Sequence, residues 1–335
     1  MSFITNIRSV AKYESKILVR SWFFRIFTLL AVVFLGFFNF AMMLMEDNFG
    51  LWFAKSVSSN IPYLNLLLLN TGQAVVAVFL SSEFLKRDKK LDTSEVFYVR
   101  PLSNAEYVVG KIWGNLRVFL FLNLLVLAIV LAFNFMASGV TVDLPVYLVY
   151  FFLISIPTLI FIIGLSIFLM LLLKNQALTF ILLLGYIGLT LFYIQDKFYY
   201  LFDYMVYNLP LFKSTIVGFS NLELILNHRA IYFFAGLGFI FFTIFLFKRL
   251  PNARRSHYPW LFLSFCMFLL MGTAGFRHVR SILREGEMRA LYTSINNKYV
   301  YEPKMAIDYY DISVEQKSET IRSVVGMEGT ALAAS

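Results

Sequence analysis

The chain has 335 residues, 59% of them hydrophobic and 18% aromatic, and a mean hydropathy of +0.73. Soluble domains are about half apolar at most, so this composition excludes a soluble globular enzyme and specifies a polytopic membrane protein. The net charge of +9 is of the kind that cytoplasmic loops of membrane proteins carry and does not call for nucleic acid, and the single Cys266, within an apolar run, excludes an internal disulfide or a multi-cysteine metal site.

Residues 2–20 are amphipathic. Phe3, Ile7, Val10, Ile17 and Leu18 recur at helical spacing, with Arg8, Lys12, Glu14, Lys16 and Arg20 between them. Such a basic helix is expected to lie in the membrane interface, ahead of a first span at Ile26–Met45. The alternative is an ordinary juxtamembrane helix. No short apolar core with a small-residue cleavage site follows, so it does not read as a signal peptide. Further spans are expected near Ile61–Ser82, Trp113–Met136, Val146–Leu173, Ala177–Ile194, Ile231–Phe247 and Trp260–Phe276. The fourth is long for a bilayer, and Pro157 is its expected kink.

Between the second and third spans lies a polar stretch, residues 81–111, that is too structured for a plain linker. Asp92 and Glu95 have the spacing of a capping box, and Ser103 and Glu106 form another. Pro101 ends the first helix, because the residue before proline leaves the α region. The pattern predicts a short capped helix over Asp92–Val99, with Val96, Phe97 and Tyr98 available for contact. A helix this short is unstable alone in water, so a partner surface is expected. A solvated basic loop is the alternative, disfavoured by two consecutive caps.

The basic residues orient the chain. With the N-terminus inside, the short cytoplasmic segments hold Arg8, Lys12, Lys16, Arg20, Arg25, Lys86, Arg87, Lys89, Lys90, Arg100, Lys111, Lys174, Lys248, Arg249, Arg254 and Arg255. The outer loops hold only Lys55, Lys197, Lys213 and Arg229. The segment 195–229 falls outside; short helices at the interface, or a segment dipping into the bundle, suit its broken apolar pattern. After Phe276, residues 277–291 read as a charged helix. Ala306–Gln316 alternates as a strand, and residues 321–329 suggest a second. Seven spans put this tail, 277–335, outside. The permease domain would then cover 1–255, with 256–276 as an extra span.

Catalytic signatures are missing. Gly110-Lys111 runs into Ile112, which is no phosphate-binding loop, and His228, His257 and His278 are scattered. No catalytic, cofactor or metal site is expected. The spans lack acids near their middles, which disfavours a proton- or sodium-driven transporter. Asn65, Asn70, Gln73, Asn115, Asn123 and Asn134 are the polar groups in or at the ends of spans. Interhelical hydrogen bonds and a translocation path are both open readings for Asn65, Asn70 and Gln73.

The order of these parts resembles the permease subunit of a type-2 ABC transporter. The most specific match is SEFLKRDKKLDTSEVFYVRPLSNAEYVVGK, carrying Glu95, Pro101, Ser103, Glu106, Gly110 and Lys111. The family often has Gly-Thr where this chain has Asp92-Thr93, and the family core ends after six spans. The resemblance covers about residues 1–255. It implies a six-span exporter-like core in the bacterial inner membrane, and Asp92–Val99 as a helix that docks on a separate cytoplasmic ATPase. That partner would bind ATP and Mg, and a second permease subunit, identical or not, would complete the pathway. An anchor for an outer enzymatic or binding domain is the alternative, since some relatives continue into large outer domains.

Overall fold

The computed structural model describes residues 3–44, 59–82, 102–136, 142–194, 196–209, 211, 213, 218–219, 221–247, 258–300, 305–317 and 320–331. Eight helices and one hairpin account for most of them. They are α1 (Phe3–Arg20), α2 (Trp22–Leu44), α3 (Asn60–Ser82), α4 (Asn104–Met136), α5 (Leu144–Leu173), α6 (Gln176–Phe192), α7 (Leu222–Leu246) and α8 (Tyr258–Tyr299), then β1 (Met305–Lys317) and β2 (Thr320–Ala331). Six of these, α2, α3, α4, α5, α7 and α8, are long and apolar enough to cross a bilayer. This is the architecture of a multi-pass membrane protein. The expected fifth span, α6, has 17 residues. At 1.5 Å per residue it reaches about 25 Å, short of a hydrocarbon core of about 30 Å.

The polar punctuation acts as the chain's grammar suggests. Lys174 closes α5 in the left-handed conformation (φ 52°), and the Asn175 side chain caps α6 by accepting from the Leu178 N–H at 3.2 Å. Within α5 the regular pattern breaks at Phe151–Ser155, a π-helical turn just before Pro157. The deviation falls where the proline leads one to expect it. Pro157 has no N–H, so the Leu153 carbonyl loses its usual i+4 donor.

The bundle closes through backbone contact as well as side chains. A Cβ on Gly236 of α7 would stand 2.7 Å from the Ile160 carbonyl oxygen of α5, and one on Gly164 would stand 2.7 Å from the Gly236 oxygen. Only hydrogens fit there. One apolar cluster joins α4, α5, α6 and α7 around Phe119, Ile162, Ile163, Leu183 and Ile244. A second joins α2, α3, α4 and α5 around Leu66, Val130, Tyr150 and Ile154.

One expectation is refined. The span expected at Trp260–Phe276 and the charged helix expected at 277–291 are a single helix, as α8 runs unbroken for 42 residues to Tyr299. Arg, Leu, Glu, Met and Ala after Phe276 are strong helix formers, and no proline interrupts them. The strands fall where the alternation puts them. They pair antiparallel, with Tyr310 opposite Met327 and Ile312 opposite Val325, and a bulge between Ile307 and Tyr309.

Candidate functional site

In the 81–111 stretch, Ser81 and Ser82 end α3 and the described residues resume at Leu102, where the second capping box is closed in both directions. The Ser103 N–H donates to Glu106 Oε2 at 2.6 Å, and the Glu106 N–H donates to Ser103 Oγ at 3.2 Å. Glu106 Oε1 also accepts from Asn6 Nδ2 of α1 at 2.8 Å. One carboxylate therefore starts α4 and ties it to the N-terminal helix. Asp92, Glu95, Val96, Phe97, Tyr98 and Pro101, the docking helix and its boundary, lie outside the described residues.

Gly110 and Lys111 turn inward. Helix α1 runs alongside the first turns of α4, parallel to it. A Cβ on Gly110 would stand 2.7 Å from Val10 Cβ, and one on Gly114 would stand 2.7 Å from Glu14 Cβ and 2.9 Å from the Ala11 oxygen. The two glycines make the groove in which α1 sits. Ser15 Oγ donates to the Gly114 carbonyl at 2.6 Å, and Arg117 Nη2 donates to the Ala11 carbonyl at 2.9 Å. Lys111 Nζ lies 3.8 Å from Glu14 Oε2, both side chains nearly free of solvent. The same ammonium stands over the Tyr107 ring, which stacks on Phe247 past the end of α7. Asn104 Nδ2 donates to the Phe247 carbonyl at 2.6 Å. Three helices thus meet at the start of α4, just after residues 92–101. Glu106, Gly110 and Lys111 are buried there, so their part is to position α4 rather than to present a surface.

Most amides of the spans bond between helices, but Asn70 Oδ1, Gln73 Nε2 and Asn134 Oδ1 are buried with no hydrogen-bond partner among the described residues, and Asn115 is buried without an interhelical bond there. Asn65 and Asn39 exchange hydrogen bonds of 2.7 and 3.1 Å between α3 and α2. Asn70 Nδ2 donates to Asn123 Oδ1 at 3.2 Å, Asn123 Nδ2 to Gln73 Oε1 at 2.8 Å, and Ser155 Oγ to Asn123 Oδ1 at 2.8 Å, so that α3, α4 and α5 share one network. Asn134 Nδ2 donates to the Tyr147 hydroxyl at 2.9 Å. Asn65, Asn70 and Gln73 are fully buried in these contacts. Polar side chains in a bilayer find such partners because the alternative is an unsatisfied group in hydrocarbon.

At the other end of the bundle, a segment after α6 folds into the helices. Its carbonyls are captured one after another. His278 Nε2 meets the Tyr199 oxygen at 2.8 Å and His228 Nε2 the Tyr200 oxygen at 3.0 Å. The Tyr232 hydroxyl donates to Leu201, Tyr63 to Val206 at 2.8 Å and Tyr150 to Leu211 at 2.5 Å. Arg229 is the centre: Nη1 donates to the Tyr204 carbonyl at 2.8 Å, Nε to the Leu153 carbonyl at 2.7 Å, and Nη2 to Thr158 Oγ1 at 2.9 Å. It supplies the donor that Pro157 withholds from Leu153. Counting Arg229 as an outer-loop charge is therefore corrected: it is fully buried in α7. Buried Asp203 accepts from the Tyr207 and Asn208 N–H groups at 2.9 and 2.8 Å. Burial pushes its carboxyl above the ordinary range, against the pull of those N–H groups and of Arg229.

This cap was not legible as a site. A basic residue near a helix start reads as a loop charge until the π turn facing it is known. The three left-handed residues Phe198, Tyr199 and Tyr200 (φ 52°, 59° and 62°) are held by the two histidines on the Tyr199 and Tyr200 carbonyls. Strain of that kind costs on the order of 1–3 kcal/mol per residue and persists only where the surroundings over-determine it. Among the described residues, no three His, Cys, Asp or Glu side chains group to hold a metal. No protein-family model matches the chain, and no curated protein matches it either.

Proposed function

We propose that this chain is the membrane-spanning subunit of an ATP-driven type-2 ABC exporter of the bacterial inner membrane. Its N-terminus lies in the cytoplasm and its hairpin outside. A cytoplasmic ATPase binds ATP and Mg, and a second permease subunit completes the pathway. The observation that carries the reading is the junction at the start of α4. A docking element between α3 and α4 is useful only if its displacement reaches the spans. Here the first residues after it are locked to α1 through Glu106 and Asn6, and to the end of α7 through Asn104 and Tyr107. A push on 92–101 therefore moves three helices together. Substrate would pass between subunits.

The test is co-purification of a P-loop ATPase in mild detergent, followed by ATP turnover in reconstituted membranes. Phe97→Ala and Glu95→Ala are expected to leave the chain folded and inserted while weakening ATPase retention or uncoupling its hydrolysis. A buried docking aromatic is typically worth about 2 kcal/mol or more. Full retention and coupling in both variants would remove the docking role. A second reading, an anchor for an extracytoplasmic domain, is favoured by α8, which carries the charged segment past Phe276 to an exposed hairpin. An anchor comes down alone or with outer partners.

A further inference from the structure

With its inward face taken up by α4, helix α1 has a different surface left for the membrane than an inserted amphipathic helix would. Ala11, Glu14, Ser15 and Leu18 are buried against α4. What remains outward is a row of cations at every fourth residue: Arg8, Lys12, Lys16 and Arg20, all exposed. Residues four apart are neighbours on a helix, and like charges at that spacing repel and destabilise it. No described acid relieves them. The one acid of the helix, Glu14, points the other way to Lys111, and among the described residues none of the four cations makes a hydrogen bond or ion pair.

Two observations place the Arg20 end of this row at a lipid surface. The row ends at Arg20, one residue from the Ser21 break and two from Trp22, which is 75% exposed at the start of the first apolar helix, and tryptophan favours the headgroup zone. The row is also flanked by exposed Ile4, Tyr13 and Val19, which suit a membrane interface better than open cytosol.

We infer that Arg8, Lys12, Lys16 and Arg20 form a docking surface for anionic phospholipid headgroups, so that α1 holds to the membrane by charge while its other face is committed to α4. The lipid phosphates supply the counter-charge that the described residues do not. Because α1 locks the start of α4, anionic lipid would also steady the junction. The inference depends on the chain being a membrane protein and not on an ATPase partner.

The full chain is reconstituted in vesicles of phosphatidylcholine, with and without phosphatidylglycerol, and lipid retention is measured with spin-labelled forms of each. One basic side chain near an anionic surface is worth about fivefold in retention. The wild type is expected to prefer phosphatidylglycerol by about that factor or more, with the preference lost in molar salt. Lys12→Gln with Lys16→Gln, both at exposed positions and so compatible with folding, is expected to lower it by about fivefold or more. Equal retention of the two lipids by the wild type overturns the inference, and so does an unchanged preference in the double variant. A double variant that keeps its lipid preference but loses a co-purifying ATPase overturns it too, and makes the row a protein-docking surface instead.

Discussion

Replacing Arg229 tests how the far end of the bundle is held together. Its guanidinium donates to the Leu153 carbonyl, to the Tyr204 carbonyl, which also accepts from the Thr158 hydroxyl at 3.2 Å, and to that hydroxyl itself. The Leu153 oxygen sits in the gap left by Pro157, so no backbone N–H can replace the lost donor there in α-helical fashion. Arg229→Met keeps the length and apolar volume of the side chain while removing every donor. The Leu153 carbonyl left unsatisfied costs about 1–3 kcal/mol, and the loss of the positive charge leaves buried Asp203 without its compensation. The loss is therefore expected to be about 2–4 kcal/mol, a sizeable share of the stability of any single domain. Arg229→Lys should recover only part, since an ammonium cannot span both carbonyls as a planar fork does. The measurement is thermal unfolding in detergent, with hydrogen exchange at the Tyr207 and Asn208 amides as the local readout. The expected pattern is a large loss in both readouts for Met and an intermediate one for Lys. An Arg229→Met protein that unfolds within about 1 kcal/mol of wild type would refute the reasoning, because an unsatisfied buried acceptor beside an uncompensated carboxylate cannot be that cheap.

Removing one partner of the Glu14–Lys111 pair should be worse than removing both. Glu14→Ala strands a buried ammonium and is expected to cost about 3–5 kcal/mol, whereas Glu14→Ala with Lys111→Met should recover most of it; a double-mutant cycle of unfolding free energies that comes out additive would exclude the coupling. Asp203 has its carboxyl raised by burial, so the folded state binds the proton more tightly than the unfolded chain. Its stabilising contribution is full below the ordinary carboxylate value of about 4 and is lost as pH rises through the higher folded value. Exchange protection at Tyr207 and Asn208 should therefore increase on mild acidification, and Asp203→Asn should flatten that dependence; an identical pH profile in the variant would assign the titration to another group.

Much of the architecture is written in local chemistry. Long apolar runs become helices because a backbone in hydrocarbon must bond within itself. The Ser103–Glu106 box, the break near Pro157 and the two strands each depend on residues close in sequence, which is why spacing alone places them. That the last span and the charged helix after it are one continuous α8 was not legible, for the converse reason. A fall in hydropathy at Arg277 marks where a membrane can end, but a helix ends only where its backbone bonding does. Tertiary structure decided what no window of sequence contains. Gly110 reads as part of a family signature until Val10 is seen lying across it, and Gly114 carries no signal at all until Ala11 and Glu14 are found against it. Lys111 reads as a surface charge until Glu14, about a hundred residues away in the chain, is found beside it. Arg229 takes its role from a carbonyl that Pro157 leaves without a donor on another helix. Burial and pairing are properties of neighbours, and for these residues the neighbours come from distant segments that only the folded bundle brings together.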